Sequence, residues 1–291
     1  MASAYLPLAG KTALVTGVSR RRGIGFAIAT RFADLGANVY IQHFAPGDLD
    51  QPWGADDLDA VFGGVRAHLI EGARFGEASV DLAGPESAGK LMTAATASMG
   101  RVQILVCNHA RSGRDGSIFD MTSALLDGHW SVNTRSTILL TRAFAEQFAP
   151  ASAAAGMRPG ERPHPAPRID ELAAGRVFWM TSGQGHSVMP GEVAYVASKA
   201  ALAGLTPTAA SELLRRGIIL NTIDPGPVNT GYLDPETTDR PLDATAEAIQ
   251  RAPFGRVGVP SDPARLIGWL ATDEGRWIVG QVLTTDGGFG L

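Results

Sequence analysis

Apolar residues along this chain follow two alternating patterns. Short unbroken runs, "KTALVTG" (11–17), "ANVYIQHF" (37–44), "VQILVCNHA" (102–110), "GRVFWMTSG" (175–183), "IILNTIDPG" (218–226) and "GQVLTTDGG" (280–288), read as strands buried on both faces. Between the first two, Phe26, Ile28, Ala29, Phe32 and Leu35 fall at helical spacing, with Gly36 as the stop. "ALLDGHWSVNTRSTILLTRAFAEQFA", "AYVASKAALAGL" and "PARLIGWLAT" also read as helices. Strand, helix and strand within about 30 residues make a βαβ unit. The continued alternation predicts an α/β fold: one doubly wound parallel sheet flanked by helices, in a single domain spanning 1–291.

Two stretches break the rhythm. "APGDLDQPWGADD" (45–57) follows the second strand and is expected at the carboxyl edge of the sheet, where ligands bind. The Ala/Pro-rich insertion 149–175 precedes a strand, which places it at the opposite edge, as a surface excursion. Pro207 falls inside the helix that begins near Tyr195, so a kink or break is expected there.

Composition narrows the function. A chain of 291 residues, 45% hydrophobic and 19% charged, is ordinary for a globular protein. Its net charge of -4 disfavours nucleic acid as a partner. Cys107, the single cysteine, excludes an internal disulfide and a cysteine metal cage, and no metal is expected. No run approaches the roughly 18 apolar residues of a membrane span, and "MASAYLPLAGK" lacks the pattern of a secretion signal, so a cytoplasmic setting is expected.

The chemistry concentrates in two places. In "VTGVSRRRGIG" (15–25) a strand ends in glycine and turns into a helix. Glycines there let the backbone approach a pyrophosphate, and the free N–H groups of the helix meet its charge. In the second place, Tyr195 and Lys199 lie four apart, on one face of a helix. An ammonium beside a phenol favours phenolate and brings its pKa towards the working range, as a proton donor to a carbonyl requires. Ser182 lies thirteen residues upstream, at the end of a strand.

"TG" (Thr16, Gly17) with "GIG" (Gly23, Ile24, Gly25), then Ser182, Tyr-x-x-x-Lys and "DPGPVNT" (224–230), resemble the short-chain dehydrogenase/reductase family, in that order along the chain. The likeness is strongest to its 3-oxoacyl-[acyl-carrier-protein] reductase-like branch. The loop is longer than the usual form by two residues, and enoyl reductases of the superfamily share a longer loop but space tyrosine and lysine more widely.

The resemblance implies a Rossmann-type sheet of about seven strands and an NAD(P)(H)-dependent oxidoreductase acting on the CH–OH group. It makes Tyr195 the general acid/base, Ser182 the hydroxyl that binds the substrate oxygen, and Lys199 the group that holds the ribose and tunes the tyrosine. Asn133 would support a water-linked relay. Gly17, Ser19, Arg20, Arg21, Arg22, Gly23, Ile24, Gly25, His43, Asp81, Leu82, Asn108, Pro225, Gly226, Val228 and Thr230 would surround the cofactor, together with Tyr195 and Lys199. A homotetramer or homodimer is also implied, packed through "TRSTILLTRAFAEQF" and "AYVASKAALAGL".

The family's "NNAG" is here "CNHA" (107–110), which keeps Asn108 and puts His109 beside the cofactor site. Cys107 reads as a buried apolar residue rather than a nucleophile.

Cofactor choice is read at the end of the second strand. NAD-specific members carry a carboxylate there, whereas this chain has His43, with Arg20, Arg21 and Arg22 in the loop expected to face the same ribose. Guanidinium suits a 2′-phosphate, so NADP(H) is expected to be preferred, with NAD(H) possible. Asp56 or Asp57 could fold back and supply an acid. A lid is expected over 231–252, and its "GYLDPETTDRPLDATAEAIQ" carries five carboxylates and one arginine. That charge suits a small free carbonyl or alcohol better than an acidic carrier protein. His109, Arg111, Gln184, His186, Met189 and Tyr232 are candidate pocket residues. The rival reading is a nucleotide-binding sensor or scaffold of the same shape without turnover.

Overall fold

The computed structural model describes residues 6–148, 160, 175–238 and 242–291. Seven strands form one parallel sheet: β1 (Thr12–Thr16), β2 (Asn38–His43), β3 (Phe75–Ser79), β4 (Ile104–Cys107), β5 (Gly175–Met180), β6 (Ile218–Asp224) and β7 (Val282–Thr284). Their order across the sheet is β3-β2-β1-β4-β5-β6-β7. The chain therefore reverses direction across the sheet between β1 and β4, the switch point where such sheets open a crevice at their carboxyl ends.

Alternation along each strand feeds two cores. Ala13, Val15, Val39, Ile41, Ile104 and Val106 face α1 (Ile24–Asp34) and, further on, the helix Ser261–Leu270, where Ile28, Phe32 and Ile267 are fully buried. Leu14, Leu105, Cys107, Val177 and Trp179 point the other way, into a core shared with Leu91, Leu140, Phe144 and Leu202. β1, β4, β5 and β6 are buried along their whole length, which is why they read as unbroken apolar runs. Cys107 belongs to this interior, and burial pushes its thiol up to about 12.

The remaining helices are α2 (Ala45–Leu49), α3 (Leu58–Arg66), α4 (Ser87–Met99), α5 (Ser123–His129), α6 (Ser136–Ala145), α7 (Val193–Leu214), α8 (Leu242–Arg251) and α9, the Ser261–Leu270 helix already named. A turn of π-helix, Trp130–Arg135, joins α5 to α6. Helix α7 runs through Pro207 without the break that the sequence suggests. The insertion 149–175 lies outside the described residues except for Gly160 and Gly175. Among the described residues no helix is long and apolar enough to cross a membrane, and no group of three or more metal-ligating side chains is placed to hold an ion.

Candidate active site

The loop after β1 is shaped by close packing against the loop after β4. Gly17 has φ +71°, and a Cβ on it would lie 2.8 Å from the Cα of His109. A Cβ on Gly25 would lie 2.5 Å from the carbonyl oxygen of Gly17 and 2.7 Å from Nδ2 of Asn108. Asn108 Nδ2 donates to the carbonyls of Thr16 and Gly17 at 3.0 and 3.2 Å. The glycines thus clear room for an asparagine that ties the two loops, and they leave the N-terminus of α1 uncovered by any side-chain cap.

That N-terminus opens into a cleft of about 440 Å³ at the switch point. Of the sequence-predicted residues, Gly17, Ser19, Arg20, Gly23, Ile24, Asp81, Asn108 and Thr230 line it. Gly25 and Leu82 lie beneath, and both are buried. Pro225, Gly226 and Val228 form the loop leaving β6, where Gly226 has φ +63° and its backbone packs on Asp286. The cleft gives a dinucleotide features it needs: glycine backbone without side chains and an uncapped helix N-terminus.

The three arginines divide, as a turn two residues longer than usual requires, since all three cannot reach one phosphate. Arg20 lines the cleft, donates to the carbonyl of Thr230 at 2.7 Å and lies over the Trp53 ring, 5.9 Å from its centroid. Arg21 turns outward and grips Asp56 with Nε and Nη2, at 2.9 and 2.8 Å. This pairing holds the Asp56 carboxyl down at about 2. Arg22 pairs with Asp234 of the expected lid at 2.6 Å. Asp57 instead caps α3, accepting from Asp59 N.

His43 also departs from expectation. It is buried, hydrogen-bonded to Glu77 at 2.8 Å and packed on Phe62, so it does not line the cleft. The acid that does so came from outside the sequence reading: Asp48 of α2, hydrogen-bonded by Ser19 and facing Arg20. Burial raises its pKa against both of those groups, and its Oδ2 has no hydrogen-bond partner among the described residues. The cleft therefore contains a negative group that the sequence reading lacked.

The second constellation gathers where β5 meets α7. Lys199 is buried, donates from Nζ to the carbonyl of Met180 at 2.9 Å and lies 5.8 Å from the Tyr195 ring centroid. Burial pushes its ammonium down to about 8. Thr181 donates to the Lys199 carbonyl at 3.0 Å, stapling strand end to helix. Ser182 follows directly, half-buried at the start of a 3-10 turn. Ser182 thus lies at the carboxyl end of β5, and Tyr195 and Lys199 on the first turns of α7.

Asn133 sits in the π-helical turn and is fully buried. Its Oδ1 accepts from Arg111 N at 2.7 Å, while Nδ2 donates to Arg111 O and to Ser198 Oγ at 3.1 and 2.9 Å. Its side chain therefore clamps the cleft loop to α7.

The pocket candidates separate too. His109 lines the cleft, but both ring nitrogens are engaged internally: Nδ1 meets Thr16 Oγ1 at 2.7 Å, and Nε2 meets Ser136 Oγ at 2.6 Å. Arg111 lines the cleft. Gln184 donates to Thr181 Oγ1, His186 is exposed and bonded to Thr284 Oγ1, and Met189 is half-buried. Tyr232 meets Trp53 edge-on at 6.3 Å.

A family model described as enoyl-(acyl carrier protein) reductase matches residues 17–158 and 165–290. The chain is 31% identical over 279 residues to an uncharacterized oxidoreductase, YjdA, of Bacillus subtilis, covering 96% of each. It is also 31% identical over 288 residues to an NADPH-dependent aldehyde reductase-like protein, chloroplastic, of Arabidopsis thaliana, covering 98% of this chain and 96% of the relative. Among solved structures, a short-chain dehydrogenase/reductase from Serratia marcescens superposes with a TM-score of 0.76 at 29% identity, covering 98% of this chain and 100% of that one. With this sheet order, the glycine loop and the Ser182–Tyr195–Lys199 constellation, the chain belongs to the short-chain dehydrogenase/reductase family of oxidoreductases, which bind NAD(P)H.

Proposed function

We propose that this protein interconverts a carbonyl and a secondary alcohol by hydride transfer, with Tyr195 as the general acid/base. The observation that supports this reading best is the buried Lys199 ammonium beside the Tyr195 ring. A positive charge there stabilises phenolate and so eases proton donation to a carbonyl oxygen. Ser182, at the same sheet edge, hydrogen-bonds that oxygen and fixes its direction. A bound nicotinamide dinucleotide supplies or accepts the hydride. Gly17, Ser19, Gly23, Ile24, Asp81, Asn108 and Thr230 hold it along the cleft.

NADP(H) is the preferred dinucleotide, with Arg20 rather than Arg21 or Arg22 meeting the 2′-phosphate, because Arg20 alone of the three lines the cleft. Asp48, which faces Arg20 there, opposes a phosphate, so the preference rests on the Arg20 guanidinium outweighing it. The Arabidopsis relative is called NADPH-dependent, in the same sense. The spacing of Tyr195 and Lys199 supports 3-oxoacyl reductase-like carbonyl chemistry rather than reduction of an enoyl double bond. The five carboxylates and one arginine along 231–250 favour a small free substrate over an acidic carrier protein. The protein works as a homotetramer or homodimer in the cytoplasm, where its single thiol stays reduced.

Purified protein assayed with NADPH against a panel of ketones and quinones, and with NADP and alcohols, tests the reaction class. Turnover in Tyr195→Phe is expected to fall by about 10²–10⁴-fold, with NADPH binding intact. A variant that turns over near the wild-type rate would remove Tyr195 from this role. Dinucleotide binding with no turnover across the panel would favour a sensor.

A further inference from the structure

Helix α7 begins without a side-chain cap of its own. Its N-cap residue, Glu192, makes no side-chain capping bond, and Tyr195 lies in the first turn, where backbone N–H groups lack partners within the helix. The partners come from a segment about 80 residues earlier in the chain. Asp115 Oδ1 accepts from Ala194 N at 3.0 Å, and Oδ2 accepts from Tyr195 N at 2.8 Å. Oδ1 also accepts from Gly116 N at 2.8 Å, and the Gly116 carbonyl accepts from Val193 N at 3.2 Å.

The carboxylate is deeply placed, with only 5% of its side chain exposed. His129, fully buried at the end of α5, stands 4.0 Å from Asp115 Oδ2. Its ring meets the Tyr195 ring edge-on at 6.4 Å. Asp115 therefore touches the backbone of Tyr195, and His129 packs against both. The residues just before Asp115, Arg111 to Arg114, line the cleft. One side chain thus links the cleft wall to the turn that carries the proton donor.

We propose that Asp115, backed by His129, is a positioning residue for proton transfer: its carboxylate sets where the first turn of α7, and with it the Tyr195 phenol, stands relative to the cleft. This rests on the assignment of Tyr195 as general acid/base. A carboxylate at a helix N-terminus stabilises that turn through direct bonds and through the helix dipole. Here the turn that is held carries the reacting group, so loosening it misplaces the phenol. Displacement of a reacting group by about 1 Å can cost about a hundredfold in rate.

The test compares Asp115→Ala and Asp115→Asn with wild type, using NADPH with ethyl acetoacetate and with 9,10-phenanthrenequinone. For Asp115→Ala, kcat is expected to fall about 10- to 100-fold with KM little changed. NADPH affinity, read by fluorescence titration, should stay close to wild type, because Asn133 still holds Arg111. Asp115→Asn keeps one acceptor oxygen and should recover part of the loss. Wild-type kcat in Asp115→Ala would overturn the proposal. So would a parallel drop of kcat, NADPH affinity and melting temperature in both variants, which is the mark of a structural role only. If Asp115→Ala does not fold, Asp115→Asn decides by the same comparison. Tyr195→Phe is run alongside; full turnover there would instead sink the acid/base assignment itself.

Discussion

At the scale of single residues, burial decides charge. His109 is enclosed by Thr16, Val132 and Ser136, and burial, with the Lys199 ammonium adding to it, pushes its imidazole down to about 3. Unfolding returns the ring to about 6.5. Between those values the unfolded chain binds a proton that the folded chain refuses. The stability this ring confers is therefore whole above about pH 6.5 and is lost as the pH falls towards 3. Urea midpoints should drop on acidification from about pH 7 to 4.5, and drop less in His109→Gln, whose amide donates and accepts but does not ionise. Equal slopes would mean that other groups carry the acid sensitivity. The cleft makes a second residue-scale contrast. Arg20→Ala should weaken NADPH about tenfold or more relative to NADH, the loss expected of a charge-assisted contact. Arg21→Ala and Arg22→Ala should treat the two dinucleotides alike, since their charges face Asp56 and Asp234. Competition titrations with both cofactors check this, and selective loss in Arg21→Ala would reverse the assignment.

Among the elements, α7 contains a tension that its sequence announces. Pro207 cannot donate to the carbonyl four residues back, yet the helix is continuous from Val193 to Leu214. Buried Leu202, Thr206 and Ala210 on either side hold it to the sheet, and packing outweighs the proline's local cost. Pro207→Ala should therefore raise stability, by up to ~3 kcal/mol, seen as a higher urea midpoint at unchanged slope; an unchanged midpoint would mean that the proline costs the helix nothing there. The same contrast between local signal and packing explains what could be read from the chain. β1, β4, β5 and β6 announce themselves because both faces are apolar. β3, "FGEAS", is an edge strand with no residue fully buried, and it gives no such signal. The glycine loop, Ser182, Tyr195 and Lys199 stand out in the sequence because separated short motifs fall in the order of one family. Asp48, Trp53 and Asp115 do not, because each reaches its partner only after a loop folds back across the sheet edge.

For the whole molecule, the outer side of α6 and α7 is the surface to watch. Ile138, Leu205, Ala209 and Leu213 share a depression of about 570 Å³ with Arg142, Glu146, Glu212 and Arg216. A second copy meeting it across a dyad would bury these apolar side chains. Light scattering at micromolar concentration should give a dimer or tetramer, and a monomer would rule out this packing. The arginine pairs bear on the molecule in another way. Arg21 and Arg22 reach from one short loop to the segment after β2 and to the segment after β6, adding charge pairs beside the Trp53–Tyr232 contact between those segments. Exposed pairs of this kind each contribute only about 0–1 kcal/mol, and dissolved salt screens them. These two ties are therefore expected to weaken as dissolved salt rises, while the Trp53–Tyr232 contact between the same two segments should not.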